Sequence, residues 1–411
     1  MFPFRWGVNF RRHCSIFSVY LWSMFQRIIK PLKSNSFFLF GARGTGKTTF
    51  LKQYFSDKNT LWLDLLDPLL EDQLTLNPSS LSGQIEIAVA KNRIEWVVID
   101  EVQKLPRLLD IVHHYIETTD IKFALTGSSA RKLKRGAANL LAGRAFVNHL
   151  FPLTHLEMGT AFDEMKALAF GALPKVVLLN SDEERTAFLR SYALTYLKEE
   201  VWSEHIVRQL EPFRRFLEIA AQCNGDIINF SNIARDVDAD TKTVQSYFGI
   251  LEDTLLGSLL PPFHRSIRKQ QHQNPKFYFF DTGVKRALDR TLTQELVLGT
   301  YGFGKTFEHF VIIESVRLNA YYGRDYKFSY LRTKDDAEID LIIERPGLPI
   351  VLAEIKSTDK IDDRDTKTIE TFLKDFHKAE GICLSRDPIS KKIGKVSCLP
   401  WREGLKAIFR I

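Results

Sequence analysis

One run, Gly41-Ala42-Arg43-Gly44-Thr45-Gly46-Lys47-Thr48-Thr49, constrains the chain more than any other. It matches the spacing G-x-x-x-x-G-K-[ST], with Gly41, Gly46, Lys47 and Thr48 in the fixed places. Immediately before it, Ser36-Phe37-Phe38-Leu39-Phe40 is a continuous apolar run of the kind that forms a strand buried on both faces. Immediately after it, Phe50 to Phe55 continue as a helix. Glycines let the backbone close around a phosphate with no Cβ in the way. The loop N–H groups and the following helix N-terminus then point at the anion. The pattern therefore predicts that Gly41 to Thr49 cradle ATP. Lys47 would reach the β- and γ-phosphates, and Thr48 would ligate Mg²⁺ through its hydroxyl.

A second run supports this. Trp96-Val97-Val98-Ile99-Asp100-Glu101 is an apolar strand ending in two acids. Asp100 suits the Mg²⁺ shell, and Glu101, one residue on, suits the base that polarises an attacking water. Thr60 to Leu63 and Lys122 to Leu125 read as two more strands. Strands alternating with helical segments indicate a parallel α/β sheet with its ligand at the strands' C-terminal edge. Thr126 and Ser128, in Leu125-Thr126-Gly127-Ser128-Ser129, stand where a polar residue senses the γ-phosphate, or else form an ordinary Ser/Gly turn. Arg144, in Leu141-Ala142-Gly143-Arg144, is either a finger or sensor, in cis or from a neighbouring subunit, or a surface ion-pair arginine.

The run Ile99-Asp100-Glu101-Val102-Gln103-Lys104-Leu105-Pro106, with the Thr-Gly-Ser-Ser and Leu-Ala-Gly-Arg stretches, resembles the bacterial and archaeal AAA-type ATPases that carry a C-terminal domain of unknown function. Similar stretches follow at Phe151-Pro152-Leu153, Gly171-Ala172-Leu173-Pro174, Tyr196-Leu197-Lys198-Glu199-Glu200-Val201 and Pro275 to Gly283. The resemblance runs from about Met24 to near the C-terminus. It implies an AAA+ core but leaves the cellular role open.

Residues from about Ala187 to Cys223 carry apolar and charged residues at helical spacing, as a helical lid behind the nucleotide would. Asn229 to Asp236 read as a short helix capped by Ser231. Thr241 to Leu251 read as a second helix, with Val244, Tyr247 and Leu251 on one face. This is helix-turn-helix spacing. Leu255 to Phe263 and Lys276 to Phe280 would be the strands of a wing, flanking a basic loop from His264 to Asn274. Thr241, Lys242, Gln245 and Ser246 would lie on the exposed face of a DNA-recognition helix, the loop tracking phosphates. The alternative is a winged helix used for packing or protein contact, since Asp238, Asp240, Glu252 and Asp253 surround that helix.

In the last third, residues 304–318 read as an amphipathic helix that includes Glu308. Glu338 to Glu344 and Ile350 to Ile355 read as strands flanking a turn at Gly347. Asp340 lies seven residues before that glycine and Glu354 seven after, so a simple hairpin sets them opposite each other. Lys356 shares a face with Glu354. Asp340, Glu354 and Lys356, with Glu308 nearby, resemble the PD-(D/E)XK nucleases. There, carboxylates hold Mg²⁺ and a lysine orients or activates water. A surface ion-pair hairpin explains the same residues.

The expected fold class is α/β. A P-loop AAA+ parallel-sheet domain with helical lid spans 24–205, a winged helix 206–285 and a nuclease-like α/β domain 286–411. Residues 1–23 are an extra segment, read as following an upstream start codon, as a targeting signal or as a genuine N-terminal helix. The net charge of +7 permits nucleic-acid contact without requiring it. Cys14, Cys223, Cys383 and Cys398 form no C-x-x-C pair, which fits a reducing, cytoplasmic setting. No apolar run reaches the roughly 18 residues of a membrane span. Expected ligands are ATP and Mg²⁺; expected partners are DNA and further copies of the chain. Three activities stay open: an ATPase acting on nucleic acid, an ATP-gated nuclease, and a nucleotide-gated interaction switch without nucleic acid.

Overall fold

The apolar runs of the first 150 residues assemble into one parallel sheet. β1 (Ser36–Phe40), β2 (Thr60–Asp64), β3 (Trp96–Asp100), β4 (Lys122–Gly127) and β5 (Ala145–His149) lie in the order β2-β3-β4-β1-β5. Every residue of β1 and β3 is buried, because helices cover both faces of a parallel sheet. β5 has no strand counterpart in the sequence reading. It is an edge strand, and Phe146 and Val147 remain exposed, so it lacks the uninterrupted buried signature. A computed structural model describes residues 25–56, 59–128, 141, 143–196, 210–264 and 274–411. The segment 1–23, Ser129, Ala142, the Leu197–Val201 part of the family-like stretch and most of the basic loop lie outside these residues.

Short helices follow at Glu164–Phe170, Pro174–Val177 and Asp182–Ser191, the last continuing as a π-helical turn over Tyr192–Tyr196. Three more helices come next: Leu210–Gln222, Phe230–Asp236 and Thr241–Asp253. The antiparallel hairpin β6 (Gly257–Leu260) and β7 (Lys276–Phe279) closes this part. Asn229, not Ser231, caps the middle helix, its Oδ1 accepting from Asn232 N at 3.0 Å. Asn presents an acceptor at the N-cap at least as well as Ser does, and the helix starts one residue before Ser231. One core runs through all these helices and the hairpin, from Phe170, Leu173 and Leu189 to Phe213, Phe216, Phe248 and Phe277. The segments read as lid and winged helix are therefore packed as one body.

The C-terminal part opens with the helix Tyr301–Tyr321. It packs on a six-stranded sheet ordered β12-β13-β11-β10-β9-β8, from β8 (Lys327–Arg332), β9 (Glu338–Glu344), β10 (Ile350–Lys356), β11 (Ala379–Ser385), β12 (Lys391–Ile393) and β13 (Val396–Pro400). β8, β9 and β10 form an antiparallel meander, and the helix Asp363–Leu373 crosses over to the parallel β11.

Three of the family-like stretches meet at the joint between these parts. Asp281 accepts from Ala172 N at 2.7 Å and from Val284 N at 3.1 Å, capping the helix Thr282–Leu288. A Cβ on Gly171 would lie 1.9 Å from the Asp281 carboxylate, and one on Gly283 would lie 2.0 Å from Phe170 O. Arg317, fully buried on the long helix, donates to Leu153 O at 3.1 Å and to Phe280 O at 2.7 Å, and pairs with Glu314 at 2.8 Å. Glu314 in turn accepts from His155 N at 3.1 Å. The glycines permit close backbone approach, and the buried charges are paired, as burial requires.

Candidate functional site

The C-terminal ends of β1, β3 and β4 converge on the loop Gly41–Thr48. Gly44 and Gly46 have φ of 81° and 92°, a region that side chains disfavour. A Cβ on Gly41 would stand 2.3 Å from Leu150 O, so only glycine allows this approach to the strand end. The helix Lys47–Tyr54 starts from Gly46, aiming free N–H groups into the loop. Lys47 Nζ donates to Gly41 O at 2.8 Å, which holds the ammonium across the loop. Thr48 Oγ1 donates to Asp100 Oδ2 at 2.7 Å. A hydroxyl and a carboxylate in contact beside a loop of N–H donors form a donor set that fits a hard divalent cation carried by a polyphosphate.

A cleft of about 530 Å³ opens at this edge. Its walls include Arg43, Lys47, Thr48, Thr49 and Glu101, and the apolar side chains of Phe25, Phe50, Leu153, Pro174 and Leu178. A mostly apolar pocket beside a few convergent polar groups suits a base attached to phosphates. Ala42 and Thr45 are buried beneath the loop, Thr45 Oγ1 donating to Ala42 O at 2.8 Å.

Glu101 sits at the cleft in a left-handed conformation, φ 60°, which is uncommon for a side-chain-bearing residue. Thr126 is fully buried. Its hydroxyl donates to Asp100 and accepts from Glu101 N at 2.9 Å, so it contacts the acids. Ser128 Oγ accepts from Gln103 Nε2 at 3.2 Å, and the same amide donates to Glu101 Oε2. Arg144 pairs with Glu117 in an exposed ion pair and is not among the cleft's lining residues.

The sequence reading gave no role to Arg27 or Gln103. Arg27 is a buried hub: it donates to Thr45 O at 3.0 Å, Phe151 O at 2.6 Å, Glu157 Oε1 at 2.9 Å and Tyr321 OH at 2.8 Å. Burial alone would lower its pKa, but its contacts with Tyr321 and the Glu157 carboxylate outweigh it and the guanidinium is held charged. Nothing around Arg27 in the sequence signals this, because its partners lie up to 294 residues away. Gln103 was visible only as part of a family-like run.

In the C-terminal domain the hairpin has the register the sequence implied. Ala353 opposes Leu341 and Leu352 opposes Ile342, which sets Glu354 opposite Asp340. Asp340 Oδ2 accepts from Ile355 N at 2.8 Å. Burial, with the Glu354 charge second, pushes the Asp340 carboxyl up to about 7, and burial raises Glu354 as well. Lys356 pairs with Glu354 at 2.9 Å. Glu308, on the long helix, accepts from Tyr278 OH at 2.7 Å and lies 3.6 Å from both Lys276 and Lys305. Lys276, buried on β7, also pairs with Glu338. Glu354 and Glu308 are thus paired with lysines while Asp340 faces Glu354, and two neighbours of Glu308, Lys276 and Tyr278, come from the hairpin of the preceding part. Among the described residues no group of three or more His, Cys, Asp or Glu side chains is placed to hold a metal ion.

On the helix Thr241–Asp253, Lys242, Gln245 and Ser246 are exposed and Thr241 is partly so, while Val244, Tyr247 and Leu251 are buried. Asp240 caps it, accepting from Thr243 N at 2.9 Å. Among the described residues no helix is long and apolar enough to cross a membrane.

Three family models match in tandem: an AAA domain over residues 33–159, the domain of unknown function DUF8612 over 162–295, and the domain of unknown function DUF4143 over 303–403. In this order the matches support an AAA-type chain with a C-terminal domain of unknown function. The middle match spans the same segments that share one core. An uncharacterized protein of Mycobacterium tuberculosis is 27% identical over 322 residues, covering 78% of this chain and 70% of that protein. An uncharacterized protein of Methanocaldococcus jannaschii is 22% identical over 379 residues, covering 85% and 81%. Domain III of the replication initiation protein DnaA of Thermotoga maritima aligns with 17% identity and a TM-score of 0.25, over 47% of this chain and 87% of that one.

Proposed function

We propose that the chain hydrolyses ATP with Mg²⁺ and passes its nucleotide state to the two parts that follow, which act on nucleic acid. The observation that carries this reading is the contact of Thr48 with Asp100, beside Glu101 at the mouth of the phosphate loop. Lys47 and the loop N–H groups hold the β- and γ-phosphates. Thr48 and Asp100 hold the Mg²⁺ that ATP brings, which supplies positive charge as charge builds on the transferred phosphoryl group. Glu101 takes the proton of the attacking water. Thr126 keeps Asp100 and the Glu101 main chain in register. Arg144, ion-paired with Glu117 at the surface, is the candidate finger or sensor, in cis or from a neighbouring copy.

The helices Leu210–Gln222, Phe230–Asp236 and Thr241–Asp253 with the hairpin β6–β7 have the order of a winged helix. Lys242, Gln245, Ser246 and Thr241 are its candidate DNA-facing residues. The C-terminal sheet and its long helix have the order of a nuclease-like fold, with Glu308, Asp340, Glu354 and Lys356 at the corresponding places. The lysine pairs of Glu308 and Glu354 also suit a domain that binds nucleic acid without cutting it. They also support a second reading, a nucleotide-gated interaction switch with no nucleic-acid partner.

ATP turnover measured with and without duplex DNA, from low to moderate salt, separates these. Stimulation that fades with salt, and is lost in Lys242→Ala/Gln245→Ala, supports action on nucleic acid. Turnover indifferent to DNA even at low salt supports the interaction switch. Mg²⁺- or Mn²⁺-dependent cleavage lost in Glu354→Ala would restore the nuclease reading.

A further inference from the structure

Gln103 is nearly fully buried, two residues after Glu101, in the middle of the 3₁₀ turn Val102–Lys104 that follows β3. Its side-chain amide turns back toward the cleft. The nitrogen faces Glu101 Oε2 and, at 3.2 Å, Ser128 Oγ. A carboxylate only accepts, so the NH₂ end must be the one that faces it. Among the described residues the oxygen end is buried without a hydrogen-bond partner. A Cβ on Gly127 would lie 2.7 Å from that oxygen, so the glycine at the end of β4 is the residue that leaves room for the amide. Two separate runs of the sequence, Asp100-Glu101-Val102-Gln103 and Thr126-Gly127-Ser128, are thereby joined through one side chain.

This arrangement is poorly explained as packing. A buried amide with an unpaired oxygen is less favourable than an apolar side chain of the same shape. What the amide does achieve is to fix one carboxylate oxygen of Glu101, a long side chain with three rotatable bonds. It also ties that oxygen to a hydroxyl at the tip of the neighbouring strand. The other carboxylate oxygen carries no hydrogen bond to Gln103 and remains for the water's proton.

We propose that Gln103 is a positioning residue for ATP hydrolysis, holding the Glu101 carboxylate in place and coupling it to Ser128. The inference rests on the ATPase reading above. Gln103 is assigned no contact with the reacting atoms; it acts through Glu101. In the reaction, the water oxygen bonds to the γ-phosphorus as the bond to the β–γ bridging oxygen breaks. The water's proton passes to Glu101 and ADP leaves. Gln103 gains and loses nothing.

The test is steady-state ATP turnover of the full chain as wild type, Gln103→Met, Gln103→Glu and Glu101→Gln, beside nucleotide affinity and melting temperature for each. Gln103→Met keeps the length and removes both hydrogen bonds. It should lower kcat roughly ten- to a hundredfold through loss of orientation, with KM and ATP affinity within about twofold of wild type. Gln103→Glu sets a second carboxylate beside the base and should move the acid limb of the pH–rate profile up by roughly one unit. Wild-type kcat in Gln103→Met, or a fall in ATP affinity that matches the fall in kcat, overturns this role and leaves the ATPase reading standing. Wild-type turnover no faster than that of Glu101→Gln overturns the ATPase reading and this role with it.

Discussion

The guanidinium of Arg27 donates to the hydroxyl of Tyr321 at 2.8 Å, while its other nitrogen donates to the main-chain oxygen of Thr45 in the phosphate loop. Tyr321 ends the long helix that opens the C-terminal domain, and its hydroxyl also accepts from Phe151 N at 3.0 Å. A single buried side chain therefore links the loop that grips phosphate with the element on which the C-terminal sheet packs.

Removing the hydroxyl breaks that link and strands Phe151 N. Tyr321→Phe should cost about 1–3 kcal/mol of stability, since a buried donor is left unpaired. Arg27→Ala is harsher: it leaves the Glu157 carboxylate, fully buried, without its cation, a loss of about 3–5 kcal/mol. Denaturant unfolding of the two variants should rank them in that order. A Tyr321→Phe protein as stable as wild type would show that the contact carries no weight.

Nucleotide should stabilise the folded chain. Ligand at about 100 times its dissociation constant adds about 2.7 kcal/mol. Thermal melting with excess Mg²⁺·ATP should rise in the wild type and stay flat in Lys47→Ala. Thr48→Ala should lose the Mg²⁺-dependent part of the shift. An equal rise in all three proteins would place the nucleotide elsewhere.

The joint glycines are open to a simpler trial. A methyl group on Gly283 would press into Phe170 O at 2.0 Å, main chain against main chain, with no flexible side chain to give way. Gly283→Ala should lose at least about 2 kcal/mol or fail to fold, while Gly347→Ala, a positive-φ turn with open space around it, should lose less. Similar losses at both sites would count against close backbone approach as the reason for Gly283.

How much of this was legible beforehand follows from where the partners sit in the sequence. The phosphate loop, the acids after β3 and the register of β9 against β10 are local patterns. Glycines at fixed offsets, an apolar run, and two strands about a turn at Gly347 signal themselves within a few residues. The joint does not. Asp281 meets Ala172 across 109 residues and Arg317 meets Leu153 across 164, so the stretches around them showed a family likeness and no mechanism. Arg27 was hidden for the same reason. The acidic cluster and Lys356 were legible as a set of residues, but the partner Lys276 was not. Lys276 belongs to a strand of the preceding part, and only the packing of the two parts sets it beside Glu308.

That cluster has a pH signature. Asp340 has its carboxyl raised to about 7, so between about pH 4 and 7 the folded chain binds a proton that the unfolded chain does not. Stability from this group is present at low pH and is lost as pH rises through 7. Asp340→Asn should therefore be more stable than wild type at pH 8 and converge with it near pH 4. A stability difference with no pH dependence would contradict the buried, carboxylate-facing environment. If Mn²⁺ instead stabilised the wild type and not Asp340→Asn, the cluster would be a metal site after all.

The central claim is that this chain hydrolyses ATP through Asp100 and Glu101. Its most direct test is phosphate release by the purified full chain with ATP and Mg²⁺, beside Glu101→Gln. The account predicts turnover that needs Mg²⁺ and falls at least a hundredfold in Glu101→Gln while that variant still binds ATP. Phosphate release equal in the two proteins, or absent from a wild type that binds ATP, would contradict it.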